Sequence, residues 1–198
     1  MEISVIITNR NYEKFLARSI RSVINQSYNK DEYEIIVIDD CSEDNSRKII
    51  ESFGNTVRSI FNEQNLGISV SCNLAVKSAN GKFTYFLDAD DFINKDTLLV
   101  CHSFISHNKE DIDAISTDYL ELSAKETVIR RRDGMAFPIR CGILYYTDNL
   151  IELGPYDINL KREDIDFRKR YLKSGKYIYN LPVPYYRYTQ HNESLTKN

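Results

Sequence analysis

The sequence predicts an α/β fold built on a parallel, doubly wound sheet. Three observations carry that prediction. Short β-branched runs alternate with amphipathic stretches over residues 3–88. The spacing of that alternation suits right-handed βαβ units. Two of the runs end in carboxylates, Asp39/Asp40 and Asp88/Asp90/Asp91, and sheets of this kind gather ligands at the carboxyl ends of their strands, near the topological switch point. The two acidic clusters are therefore expected to face one crevice.

Residues 3–7 form a β-branched run, a first strand. In "YEKFLARSIRSVINQ" the apolar residues Phe15, Leu16, Ile20, Val23 and Ile24 fall on one helical stripe. "EIIVIDD" is an unbroken apolar run ending in acid, as a strand buried on both faces requires. "SEDNSRKIIESF" reads as a helix with Ser42 as N-cap and Gly54 beyond its end. "TVRSIFN" is a third strand, "GISVSCNLAVKSANG" a helix closed by Gly81, and "KFTYFLD" a fourth strand.

The second half is less regular. "KDTLLVCHSFISHN" reads as a helix, and "IDAISTDYLEL" and "ETVIRRR" read as strands. Residues 133–146 have no clean period. "TDNLIELG" is a short helix, and "EDIDFRKRYLKSG" a longer one with Ile165 and Leu172 seven apart. "KYIYNLPVPYYRYTQ" is extended, and its tyrosines at 185–188 read as packing rather than as sugar stacking. No repeat, low-complexity stretch or linker interrupts the 198 residues, so one domain is expected.

Composition narrows the function. With 42% hydrophobic and 28% charged residues the chain holds enough apolar material for a substantial core. A net charge of −3 gives no support for nucleic-acid binding, which needs a clustered basic surface. Cys41, Cys72, Cys101 and Cys141 form no CxxC pair, so free thiols in a reducing cytosol are expected. "MEISVIIT" has no signal-peptide layout, and no run approaches the roughly 18 apolar residues of a spanning helix. The expected location is cytoplasmic, with peripheral attachment at the inner face of the membrane left open.

Asp88, Asp90 and Asp91 lie within four positions, although like charges this close raise each other's pKa and destabilise the fold. Exposed turn carboxylates or a bound cation would each account for them. Asp91 also reads as a cap near the following helix.

Five segments, in order, resemble glycosyltransferase family 2. They are "SVIITNRNYEKFLARSIRSVINQ", "VIDDCSEDNS", "NEQNLGISVSCNLAVKSANGKFTYFLDADDF", "LGPYDINLKREDIDFRKRYLKSG" and "YYRYTQHNESLT". The resemblance spans nearly the whole chain. It implies a GT-A fold, a Rossmann-like three-layer α/β/α arrangement on a mainly parallel, mixed sheet. Its implied division is a nucleotide-binding half over about residues 1–92 and an acceptor-side half over about 93–198. The implied activity is inverting transfer from a nucleoside diphosphate sugar, expected to be a UDP-sugar, to a hydroxyl of a carbohydrate or glycolipid acceptor in bacterial surface polysaccharide or glycoconjugate synthesis.

The resemblance also assigns residues. Thr8, Arg10, Asn11, Asp39, Asn65, Gly67 and Asp88 would bind the donor nucleotide, with Asp39 accepting from the base. Asp90 would ligate Mn²⁺ or Mg²⁺, and His191 would complete the metal shell. That cation offers charge neutralisation for the leaving diphosphate, and it accounts for the crowded carboxylates better than a bare turn does. Asp164 would be the general base. From the residues alone, Glu163 and Asp164 read equally as complements to a helix dipole, worth ~0.3–1 kcal/mol.

Three departures from the family pattern stand out. Thr8-Asn9-Arg10-Asn11 replaces a Pro-Thr-Tyr-Asn run, Cys72 replaces an arginine before Asn73, and the Gln-x-x-Arg-Trp signature of processive members is absent, there being no tryptophan. Addition of a single sugar is therefore expected. Arg130–Arg132 read first as a solvated basic loop and second as a contact for diphosphate or an anionic acceptor. The rival functions are a nucleotide-sugar-binding module without turnover and a phosphatase using Asp88 as an aspartyl nucleophile.

Overall fold

The structure is a computed structural model that describes residues 1–108, 111–154, 156–160 and 162–191. The last part of the "YYRYTQHNESLT" segment, residues 192–196, therefore lies outside the described residues.

The first half follows the predicted alternation. Strand β1 (Ile3–Asn9) leads into α1 (Glu13–Ile24), β2 (Tyr33–Asp39), α2 (Ser46–Ser52), β3 (Arg58–Phe61), α3 (Ile68–Ser78) and β4 (Phe83–Asp88). All of β1 is buried and nearly all of β2, which explains their unbroken apolar runs. The helix α1 buries Leu16, Ile20 and Val23 against the sheet. Strand β3 is an edge, and its Arg58 and Ser59 are exposed.

Two expected helix boundaries shift. Ser42 does not cap α2, because the helix starts four residues later, at Ser46. The Ser42 hydroxyl instead donates to Asp39 at 2.6 Å. Gly81 does not close α3, which ends at Ser78. A Cβ at Gly81 would stand 2.4 Å from the Ser4 amide nitrogen, so the glycine permits close approach to β1.

The second half turns the sheet from parallel to mixed. Its elements are β5 (Phe92–Ile93), α4 (Thr97–His107), β6 (Ala114–Ser123), β7 (Val128–Arg132), β8 (Ile143–Tyr146), α5 (Thr147–Leu153), α6 (Glu163–Lys173) and β9 (Ile178–Gln190). Among the described residues one sheet runs in the order β3-β2-β1-β4-β8-β6-β9-β5, with β7 paired to β6. The four strands β3, β2, β1 and β4 are mutually parallel. Strand β8 enters antiparallel to β4 and β6, while β6 and β9 run parallel. Helix α1 packs with α2, and α3 with α5, giving the three-layer, mixed α/β architecture.

The helix α6 buries Phe167 and Tyr171 and leaves Ile165 and Leu172 largely exposed. Its aromatic pair packs with Tyr145 and Tyr156, at ring separations of 5.2–5.8 Å. An aromatic pair at i, i+4 therefore sets the buried face. No helix among the described residues is long and apolar enough to cross a membrane.

Candidate active site

The chain runs out from β1 through β2 to β3, then returns across β1 to β4, so the switch point lies beside β1. Register brings the carboxyl ends together: Asn9 faces Asp39, and Thr8 faces Asp88. The two acidic clusters meet there as expected.

Asp88 ends β4, and the chain turns at once, with the Asp91 amide donating to the Asp88 carbonyl at 3.1 Å. Asp88, Asp90 and Asp91 each place a carboxylate oxygen within 4.8 Å of the others. Their environments then diverge. Asp91 is fully buried and accepts from the Tyr186 hydroxyl at 2.6 Å and the Thr189 amide at 2.7 Å. Burial, and next the Asp90 charge, push its carboxyl well above the usual carboxylate range, while the Thr189 and Tyr186 hydrogen bonds oppose that rise. Asp91 therefore ties the turn to β9. It does not cap α4, whose N-cap is Asp96. Tyr186 packs as expected of its cluster, but it also serves this carboxyl.

Asp90 is held from both ends. Its carbonyl accepts from Arg18 at 2.5 Å, and its carboxylate lies 2.8 Å from His191 Nε2. Arg18 lies over the Phe92 ring and also donates to the Thr189 hydroxyl. His191 is only 7% exposed and sits against Phe15, ring centroids 4.6 Å apart. Asp88 and Asp90 supply hard oxygen donors of the kind that hold Mn²⁺ or Mg²⁺, and His191 adds a nitrogen beside Asp90. Asp91, engaged on both oxygens, is the poorest ligand of the three carboxylates.

The nucleotide-side candidates divide into reachable and engaged groups. Thr8 is buried, and its hydroxyl lies 3.4 Å from Asp88. Arg10 is exposed at the crevice edge. Asn11 adopts a positive φ of 59° and clasps the loop after β2, its amide donating to Ser42 and its side chain accepting from the Glu43 amide. Asp39 is buried and accepts from Asn9 Nδ2 at 2.6 Å and from the Ser42 hydroxyl and amide. Asp40 accepts from the Leu66 and Gly67 amides at 2.8 Å each and from Asn62. It thereby shapes the loop carrying exposed Asn65 and partly buried Gly67, whose φ of 84° opens α3.

The acceptor side is reached through Arg140. This guanidinium donates to Asp88 and, at 3.3 Å, to Thr8, and it lies 2.9 Å from the Cys72 sulfur. It also lines a small cleft with Ile139, Tyr156, Asp164 and Phe167. Asp164 stands in the first turn of α6, partly exposed, with Arg162 at 3.9 Å. Its neighbour Glu163 is half-buried, and burial raises its carboxyl above the usual value.

Arg130–Arg132 are solvent-facing as expected, Arg130 and Arg131 being exposed, but they lie on a strand rather than in a loop. They form β7, where Arg130 and Arg132 bind Glu121 at 2.5 and 2.8 Å and Arg131 binds Asp118 at 2.6 Å. The reading from sequence missed Arg140, Arg18 and the loop-shaping part of Asp40. Only the Asp39-Asp40 doublet carried a local signal. The two arginines are recruited by partners 52 and 72 positions away.

The family model for glycosyl transferase family 2 matches residues 4–160. The poly(ribitol-phosphate) beta-N-acetylglucosaminyltransferase TarS of Staphylococcus aureus is 36% identical over 115 residues, covering 57% of this chain and 20% of TarS. An uncharacterized glycosyltransferase of Nostoc sp. is 33% identical over 178 residues, 79% of this chain and 54% of that protein. The crystal structure of TarS residues 1–349 in complex with UDP-GlcNAc superposes with a TM-score of 0.84 at 25% identity, covering all of this chain and 61% of that one. The chain thus spans between a fifth and about half of the length of these two curated relatives.

Proposed function

The chain belongs to glycosyl transferase family 2, and from that premise we propose that it moves a single sugar, with inversion, from a UDP-sugar to a hydroxyl of a bacterial surface glycan or glycolipid. The observation that supports this reading is the set of contacts at the β4 end: Asp88 pairs with Arg140, Asp90 pairs with His191, and Arg140 lines a cleft with Asp164. The UDP assignment is supported by the TarS complex with UDP-GlcNAc.

Asp88, Asp90 and His191 would hold the divalent cation. When bound, that cation supplies neutralisation of the charge developing on the leaving diphosphate. Thr8, Arg10, Asn11, Asp39, Asn65 and Gly67 would line the nucleoside. Asp39 spends both oxygens on Asn9 and Ser42, so its part is to hold the loop edges that meet the base as much as to meet the base itself. Asp164 would take the proton from the acceptor hydroxyl as that oxygen attacks the anomeric carbon. Asp164 stands in the first turn of α6, beside the cleft that Arg140 also lines. The family assignment sets aside the aspartyl-phosphate reading of Asp88.

The direct test is a panel of nucleotide sugars, read by thermal stabilisation and by metal-dependent hydrolysis. A shift and turnover confined to a UDP-sugar with Mn²⁺ are expected. A response to none of them would overturn the reading, and stabilisation without turnover would favour a binding module instead.

A further inference from the structure

Arg140 is the cation of the candidate site that pairs directly with one of its clustered carboxylates. Its side chain is only 11% exposed, so the guanidinium has given up most of its hydration, a cost of several kcal/mol unless a counter-charge replaces it. Asp88 is that counter-charge. The same carboxylate belongs to the cluster suited to a divalent cation. Asp88 thus has two claimants, and a cation at the cluster would stand beside a guanidinium of like sign.

The other contacts of the guanidinium are weak ones. A thiol is a poor acceptor, and burial holds Cys72 in the thiol form by pushing its pKa up. The Thr8 hydroxyl lies 3.3 Å away, a long contact. Among the described residues, Asp88 is the carboxylate bonded to Arg140, and Glu163 acts on it by charge without a direct bond. A diphosphate, by contrast, offers the planar guanidinium fork a two-point anionic partner.

We propose that Arg140 is an exchangeable counter-ion which pairs with Asp88 in the empty site and transfers to the diphosphate of the donor, coupling nucleotide binding to cation binding. This rests on the metal-dependent nucleotide site proposed above. Without nucleotide, Arg140 neutralises Asp88 and opposes entry of a cation. With nucleotide, the diphosphate draws the guanidinium away and leaves Asp88 to the cation. Each ligand then strengthens the other by the same factor, as linkage requires.

The test is calorimetric titration of Mn²⁺ alone, and of UDP in the presence of Mn²⁺, into the wild type and two variants. Arg140→Gln should bind Mn²⁺ alone about tenfold more tightly and UDP about tenfold more weakly, shifts on the scale of ordinary coupling energies. Arg140→Lys keeps a charge beside Asp88 but loses the fork. It should leave Mn²⁺ binding near wild type and still weaken UDP, which keeps the proposal testable if the glutamine variant does not fold. Weakening of both ligands in Arg140→Gln would make Arg140 a mere support of the site and overturn the exchange. Unchanged titrations in both variants would overturn it while leaving the metal-dependent nucleotide site intact. Failure of the wild type to bind UDP with Mn²⁺ would instead remove that site, and this inference with it.

Discussion

His191 Nε2 lies 2.8 Å from an Asp90 carboxylate oxygen, joining the residue after β9 to the acidic turn after β4 across 101 positions of chain. The contact places a nitrogen and an oxygen donor side by side in a buried corner backed by Phe15 and Tyr12. As ligands of a divalent cation, the reading proposed above, the two would act together; as a structural contact, the pair would only pack the corner.

His191→Ala should therefore weaken Mn²⁺ affinity in the presence of UDP by about tenfold or more, the scale on which metal sites respond to loss of supporting residues. Calorimetry against wild type measures it. An unchanged Mn²⁺ titration would leave His191 as a packing residue against Phe15.

Asp164→Asn is nearly isosteric and separates base from binding. Transfer should fall by ~10²–10⁴, the usual worth of general-base catalysis, while donor affinity stays within a few-fold. Transfer at the wild-type rate would reduce Asp164 to a carboxylate complementing the α6 dipole.

Tyr186→Phe removes the hydroxyl that donates to Asp91 at 2.6 Å. It leaves a buried carboxyl one partner short, and chemical denaturation should show a loss of about 1–3 kcal/mol. Stability equal to wild type would mean that the Thr189 amide alone satisfies Asp91.

The pairing of Glu121 with Arg132 and Arg130 predicts an acid dependence. Burial would raise the Glu121 carboxyl, but hydrogen bonds and charge from the two arginines outweigh it and hold the pKa below its ordinary value of 4.5. A lowered folded-state pKa favours the fold above pH 4.5, and that contribution is lost as pH falls through the lowered value. Urea unfolding of Glu121→Gln between pH 3 and pH 6 should therefore show a flatter decline of stability on acidification than wild type. Parallel curves would remove Glu121 from the acid response.

The first half of the fold was legible because buried parallel strands write themselves as continuous apolar runs. β1, β2 and β4 lie within two residues of where residues 3–7, 34–40 and 82–88 placed them. The switch to a mixed sheet was not legible from pattern alone. Strand β8 is four residues in a stretch without period, and β5 is two. The acidic turn was legible as a cluster, because crowding is visible along the chain. The different fates of its members were not, since Tyr186, Thr189, His191 and Arg140 reach them from distant elements. The pairing of the basic run at 130–132 was hidden for the same reason: Glu121 and Asp118, which its arginines bind, are on the neighbouring strand.

The central claim is a nucleotide site completed by a divalent cation at Asp88, Asp90 and His191, and titration of UDP with Mn²⁺ or with excess EDTA tests it most directly. Tight UDP binding with Mn²⁺, lost in EDTA and lost in Asp90→Ala, is the predicted result. UDP binding of undiminished affinity in EDTA would contradict it.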